Sequence, residues 1–402
     1  MELAGIVGKP NVGKSTMFSA MTLAPIEIAN YPFTTIKPNR GVSYLRIKCV
    51  CKELGVKDNP KNSKCIDGVR FIPIELIDCP GIIRGAHEGR GLGLQFLDEI
   101  RQASALIVVA DAAGATDPDG NPVKPGTSDP IEDVKLVEEE LDYWLEGLLA
   151  SDWQRICRVV ENRVGELEDE LYKKFSGLRI SMEMIHETIQ DLSLDPNHPS
   201  RWSKEKLHEF ITELRKRSKP IIVAANKIDM LEAEDGVKRL KEAGYEVIPV
   251  SAEAERILRL AAEKNLINYL PGDSDFEIID DSKLNPAQRR ALEMIRENVL
   301  KKWGSTGVQE TVNRAYFNLL QYIPVYPVED PEKLTDHDGN VLPDVYIVPS
   351  GSTPRDLAYM IHTDLGKTFL YAIDARRKVR LGEDYKLKWG DIISIVSASR
   401  RA

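Results

Sequence analysis

The stretch "GKPNVGKS" at 8–15 follows the apolar run "LAGIV" and leads straight into "TMFSAMT", a helical pattern. A strand, a glycine-punctuated loop and a helix in that order fit few architectures. Loop amides gather at the helix N-terminus, where the dipole favours an anion, and the strand belongs to a parallel sheet. Four more apolar runs supply such a sheet: 71–78 "FIPIELID", 105–111 "ALIVVAD", 220–226 "PIIVAAN" and 245–251 "YEVIPVS". Several end on a polar residue, as expected where an open α/β sheet meets ligand at its carboxyl edge.

The gap between the third and fourth runs reads as helix. Asp129-Pro130 with Glu132 and Asp133 is a capped, acid-rich start. Apolar residues then recur at Ile131, Val134, Val137, Leu141, Trp144 and Leu148. After Ser151-Asp152 a second stripe runs through Trp153, Ile156, Val160, Val164, Leu167, Leu171 and Phe175. Two such helices predict a projecting antiparallel hairpin, with more helix near 181–192 and 203–217. From about 322 the texture turns strand-like, with a helix start at Ser352-Thr353-Pro354. The expected organisation is a nucleotide domain in two parts (1–116 and 218–321, the latter with connecting helices), a helical insertion (117–217) and a C-terminal domain (322–402).

Composition narrows the class. The 402 residues are 42% hydrophobic and 29% charged, typical of a soluble globular chain. No apolar run approaches the ~18 residues of a membrane span, so a cytoplasmic location is expected. The net charge of −9 argues against non-specific coating of nucleic acid and leaves room for a local basic patch such as "ARRKVR" (375–380). Five cysteines suggest no disulfide framework. Cys49, Cys51 and Cys65 follow a C-x-C-x13-C spacing that matches no standard zinc pattern, with no histidine nearby. Free thiols are the expectation, metal binding the alternative.

Gly8, Pro10, Asn11, Val12, Gly13, Lys14, Ser15 and Thr16 would surround phosphates, with Lys14 on the β- and γ-phosphates and Ser15 on Mg²⁺. Thr34 and Thr35 of "NYPFTT" offer a further magnesium ligand, the assignment falling on Thr35. "DCPG" supplies Asp78, acting on Mg²⁺ through water, and Gly81, whose amide can meet the γ-phosphate. In "NKID", Asp229 can accept the N1–H and 2-amino hydrogens of guanine, Asn226 can brace the loop and Lys227 can cover the base. Ser251, Ala252 and Glu253 end the fifth strand, where an amide can meet guanine O6. Four signals in this order on these strands indicate a guanine-nucleotide switch binding GTP and GDP. A P-loop kinase would have no use for "NKID".

"GIVGKPNVGKST", "NYPFTTIKPN", "DCPGIIRGAHEGRGLGLQFLDEIR", "NKID", "GSTGVQE" (304–310) and "HTDLGK" (362–367) together resemble the Obg-like GTPases, in the archaeal and eukaryotic branch of the YchF type. The resemblance spans essentially the whole chain. It implies a P-loop G domain, an inserted helical coiled-coil domain, a C-terminal TGS domain of β-grasp form, and a role at the ribosome or in translation-linked RNA binding through the insertion and the TGS domain. A monomer is expected. Many YchF-type proteins carry glutamate at the last position of the base motif and prefer ATP; Asp229 keeps the guanine match, with ATP preference as the alternative. A nucleotide-regulated RNA tether with negligible turnover is a third reading. Some members use a histidine on the third strand, where this chain has Val108.

The residue after Gly81 is Ile82, where many switches place a water-orienting glutamine. The glycine-rich segment 81–93 is expected to be mobile without a γ-phosphate, and it carries His87 as a candidate water ligand. Arg84 and Arg90 are candidate internal arginine fingers. Asn11 resembles the potassium-binding asparagine of cation-activated GTPases, so K⁺ is a second possible cofactor; a residue suited to the turn is the competing reading.

Overall fold

The computed structural model describes residues 3–23, 39–90 and 99–398. Its strands are β1 Leu3–Val7, β2 Arg40–Lys48, β3 Lys64–Ile66, β4 Val69–Asp78, β5 Ala103–Asp111, β6 Ile221–Asn226, β7 Val247–Val250, β8 Ile267–Asn268, β9 Glu277–Ile278, β10 Tyr322–Val328, β11 Tyr346–Pro349, β12 Phe369–Asp374, β13 Val379–Leu381 and β14 Ile392–Ser397. Helices longer than one turn are α1 Lys14–Thr22, α2 Val50–Leu54, α3 Pro130–Ala150, α4 Trp153–Glu161, α5 Leu167–Phe175, α6 Met182–Asp191, α7 Lys204–Ser218, α8 Ala233–Glu242, α9 Ala252–Glu263, α10 Pro286–Ile295, α11 Val308–Arg314, α12 Pro354–Ile361 and α13 Thr363–Lys367. Among the described residues, no helix is long and apolar enough to cross a membrane.

The described chain forms two compact units, one from 3–23, 39–41, 75–90 and 99–311, the other from 42–74 and 312–398. In the first, parallel strands run in the order β4-β1-β5-β6-β7. β1 and β5 are buried along their whole length, as parallel strands covered on both faces must be. The chain leaves β1 with β4 on one side and β5 on the other. Residues 8–13 therefore lie where strand order reverses, the usual ligand crevice of such sheets. Ile6 stands opposite Asp78, and Asp111 opposite Asn226, which pairs in turn with Val250. These polar residues lie at the carboxyl ends of their strands.

Helix α3 starts where its capping residues predict: the Asp129 side chain accepts from the Ile131 amide, 3.0 Å away, and Pro130 occupies the first turn. Its first half joins the core on the sheet through Val134, Val137 and Leu141. Its second half enters a separate helical core through Leu145 and Leu149. The second apolar stripe departs from the expected hairpin. It divides into α4 and α5, because Arg163 adopts a left-handed φ of 59° and Gly165 follows. Val164, which continues the stripe in sequence, is 76% exposed. Helices α4 to α7 close around Ile156, Leu171, Phe175, Ile185 and Phe210 as a short-helix cluster. The last of them, α7, returns along α3, where Arg215 Nε donates to Asp142 Oδ1 at 2.9 Å.

The second unit carries a mixed sheet in the order β11-β10-β14-β12-β13, with β10 and β14 parallel and the other pairs antiparallel. Helix α12 opens with a capping box between Thr353 and Asp356 and packs Leu357 and Ala358 against Val325, Phe369 and Ile393. Residues 42–74 belong to this unit, although in sequence they separate parts of the first. Their stretch 59–63 forms backbone bonds to the C-terminal part: Asn59 N to Val341 O at 2.8 Å and Lys61 N to Pro343 O at 2.7 Å. The basic run 376–380 is engaged within the unit. Arg377 pairs with Asp374, Lys378 donates to Pro331 O, and Arg380 lies over the Tyr371 ring.

Candidate nucleotide site

At the phosphate end, Lys14 and Ser15 open α1 directly after Gly13. Gly13 has φ 100°, and a Cβ there would lie 2.3 Å from Asn226 Nδ2, so the position admits only glycine. The Lys14 ammonium is almost buried and donates to Lys9 O at 2.7 Å. Burial pushes its pKa down to about 8, with the Asp78 carboxylate pulling the other way. Asp78 ends β4; burial pushes its carboxyl up, and Lys14 opposes the shift. Gly81 lies against Lys14 and Pro10: a Cβ on it would sit 3.3 Å from Lys14 Nζ and from Pro10. The Ile82 amide donates to Gly8 O at 3.1 Å and its side chain is fully buried. The fold thus brings Gly8, Pro10, Lys14, Asp78 and Gly81 together. Val12 is buried, Ser15 exposed and Thr16 half-buried. Thr34 and Thr35 lie outside the described residues.

Asn11 takes a left-handed φ of 60°, which asparagine tolerates better than most residues. Its Nδ2 donates to Gly120 O at 2.9 Å. With the amide nitrogen spent as donor, Oδ1 is the atom available to a cation.

At the base end, Asn226 joins three segments. Its Nδ2 donates to Val12 O at 2.8 Å, and its Oδ1 accepts from Ala252 N at 3.1 Å. Ser251 donates its hydroxyl to Asp229 Oδ1 at 2.8 Å while accepting from Ala254 N to cap α9. The Ala252 amide is therefore committed to Asn226 in this arrangement. The Glu253 carboxylate pairs with Arg256 at 2.6 Å. Lys227, at φ 72°, donates to Asp111 Oδ2 at 2.8 Å.

The segment expected to be mobile is hydrogen-bonded to α3 in its described part, 81–90. Glu140 on α3 accepts from Gly85 N at 2.7 Å and from His87 N at 3.0 Å, and its Oε2 is 2.6 Å from His87 Nδ1. Arg84 lies 3.7 Å from Glu139, and Arg90 lies 3.4 Å from Glu88. Val108 is buried within β5, remote from any polar role.

Three partnerships escaped the sequence. Buried Lys9 pairs with Asp133 of α3 at 2.7 Å and donates to Thr116 O. Burial pushes the Asp133 carboxyl up to about 6 even though Lys9 draws it down. Glu140 has just been described. Thr306, in "GSTGVQE", accepts from Ser251 N through its carbonyl at 3.0 Å and donates its hydroxyl to fully buried Glu255. That carboxylate is also held by Arg259 and by Tyr269 OH, both at 2.6 Å. The only available signal was a polar cluster inside an apolar context, without a spacing that names partners.

The family model described as 50S ribosome-binding GTPase matches residues 3–145. The model described as Obg-like GTPase YGR210-like, G4 motif-containing domain matches 224–330, and the TGS domain model matches 335–397. A GTP-binding protein of Methanocaldococcus jannaschii is 52% identical over 405 residues, covering all of both chains. The ribosome-binding ATPase YchF of Bacillus subtilis is 32% identical over 265 residues, 63% of this chain and 66% of that protein. The crystal structure of a GTP binding protein from Pyrococcus horikoshii OT3 matches with a TM-score of 0.77 at 42% identity, covering 99% of this chain and 100% of that one. Whole-length identity of this order, on a sheet whose carboxyl edge gathers a P-loop, Asp78 and Asn226, places the chain in the Obg-like GTPase family, YchF type, with a P-loop GTP-binding domain and a C-terminal TGS domain.

Proposed function

We propose that the chain is a GTP-hydrolysing switch, using Mg²⁺, that acts on ribosomes or translation-linked RNA. The observation that carries the nucleotide choice is the 2.8 Å bond from Ser251 to Asp229 Oδ1. It fixes a short carboxylate at the end of a loop that Asn226 ties to the P-loop. Guanine offers that carboxylate two donors; adenine offers neither. The Bacillus subtilis relative is named an ATPase, and Asp229 supports the guanine reading here. Its printed name also supports the ribosome as partner.

Magnesium, which P-loop GTPases generally use, would supply divalent charge to the phosphate oxygens. Ser15 and Asp78 fit it, and Thr35 would join them: these are hard oxygen donors. Lys14 would place its ammonium on the β- and γ-phosphates, and the Gly81 amide would meet the γ-phosphate. The buried Ile82 side chain cannot orient water. Charge stabilisation would fall to Lys14, and Asn11 Oδ1 would help hold a K⁺ that adds positive charge beside the phosphates. Loss of the γ-phosphate would release Gly81, and Glu140 would carry that change into α3 and the helical cluster. The basic run 376–380 makes contacts within its own unit but leaves Arg377, Lys378 and Arg380 exposed, so it does not decide between switch and tether.

A competition titration tests the base choice: GTP should displace a fluorescent GDP analogue at far lower concentration than ATP. Equal displacement by ATP would overturn the guanine assignment. Cosedimentation with ribosomes in GDP and in a non-hydrolysable GTP analogue tests the partner, and nucleotide-independent binding would argue against a switch.

A further inference from the structure

Within the second unit, β2 ends at Lys48 and the chain makes a short excursion before β4. Cys49 follows β2, Cys51 lies in α2, Asp58 sits in the next loop and Cys65 is on β3. Their donor atoms all fall within 4.8 Å of one another, with Cys49 and Cys51 buried and the other two half-buried. Cys51 Sγ is 3.7 Å from Cys65 Sγ, and Cys49 Sγ is 3.1 Å from Asp58 Oδ2. We propose that these three thiolates and the Asp58 carboxylate bind one zinc ion.

The short Cys51–Cys65 and Cys49–Asp58 separations, within a 4.8 Å spread, suit a single tetrahedral ion. Zinc–sulfur bonds of about 2.3 Å give thiolate edges of about 3.8 Å, and a carboxylate oxygen at about 2.0 Å gives a slightly shorter mixed edge. Donors this close surround one ion; a polynuclear cluster, with metals at separate corners, needs wider spacing. Soft thiolates with one carboxylate select zinc over magnesium or calcium, which take oxygen ligands.

Charge and support agree. Three thiolates and a carboxylate around a divalent ion leave a net negative site. Arg70, with none of its surface exposed, places its guanidinium 2.7 Å from Asp58 Oδ2 and 4.0 Å from Cys49 Sγ. It also donates to Ser63 Oγ and Leu342 O, both at 2.8 Å. Ligating carboxylates are hydrogen-bonded in turn by outer-shell groups, a place Arg70 fills for Asp58. The ion's role is structural: four protein ligands close the site to substrate, and the loop it gathers carries the backbone bonds from Asn59 and Lys61 to Val341 and Pro343. Sequence spacing concealed the site because Asp58, the fourth donor, is not part of any cysteine pattern.

The test uses the full chain, purified and reconstituted with Zn²⁺ under reducing conditions, then desalted and measured for metal. One zinc per chain is expected, retained in Cys157→Ser, with at least a tenfold weaker zinc affinity in Cys49→Ser and Asp58→Asn. If those variants fail to fold, Co²⁺ loading of the wild type decides. Thiolate-to-cobalt charge transfer with intense tetrahedral visible bands supports the site. An octahedral, pale spectrum overturns it, as does a reconstituted wild type that retains no zinc.

Discussion

His87 and Glu140 form the latch between the segment after Gly81 and the long helix α3: Nδ1 lies 2.6 Å from Oε2, and the same carboxylate takes the His87 and Gly85 amides. Tyr143, one turn further along α3, covers the imidazole with ring centroids 5.0 Å apart. The residue that sequence offers as a water ligand is thus held by a helix whose far half builds the helical cluster. In this arrangement His87 couples the switch segment to α3.

Glu140→Ala should loosen that segment. Losing a charged acceptor leaves two amides and a ring nitrogen without their partner, at a cost of about 1–3 kcal/mol. Hydrogen exchange at Gly85 and His87 should rise by at least tenfold relative to β5. Unchanged protection would mean that Glu140 does not hold the segment.

The latch also has a pH signature. Burial pushes the Glu140 carboxyl up, but the hydrogen bonds from His87 and Gly85 outweigh it and hold the group below the ordinary carboxylate range. A depressed folded value means the contribution is complete above the unfolded pKa and disappears as pH falls through the folded one. Protection at Gly85 should therefore be flat from neutral pH down to the ordinary carboxylate range and collapse below it. In Glu140→Gln that acid step should vanish.

How far the sequence reached depended on whether partners were local. Asp129-Pro130 and Thr353-Pro354 cap helices through atoms two or three residues away, so the pattern alone located both starts. Asn226 was legible as a brace because its motif carries its role. The break at Arg163 was not, since an apolar residue at 164 kept the helical period running through a turn. Lys9–Asp133 and Gly85–Glu140 join residues more than fifty positions apart, and no spacing records such pairs. Residues 42–74 were equally silent: their contacts to 341–345 pair backbone atoms with one another, or the Asn62 and Arg70 side chains with distant backbone atoms, and no spacing marks such partners.

Asp229→Glu should weaken GTP binding by about 1–3 kcal/mol, since the longer carboxylate overshoots both guanine donors and loses its bond from Ser251. Ser251→Ala should weaken it less and also cost about 1 kcal/mol of stability through the lost cap on α9. Calorimetric titration and thermal unfolding read the two effects separately. A GTP affinity unmoved by Asp229→Glu would show that the carboxylate does not meet the base.

Asn11 carries the cation prediction. GTP hydrolysis should be faster in KCl than in NaCl at equal ionic strength, and Asn11→Ala should abolish the difference while Mg²⁺-dependent binding survives. Equal wild-type rates in the two salts would assign Asn11 to its turn alone, where its φ of 60° and its bond to Gly120 already account for it.

The central claim is that Lys14 and Asp229 serve GTP turnover, and steady-state phosphate release tests it most directly. Wild type and Lys14→Ala are compared with GTP and with ATP in Mg²⁺ and KCl. The wild type should turn over GTP with kcat/KM at least tenfold above that for ATP. Lys14→Ala should lose a factor of about 10² or more, while its thermal unfolding stays close to wild type. A wild type that prefers ATP, or a Lys14→Ala variant that releases phosphate as fast as the wild type, would contradict the account.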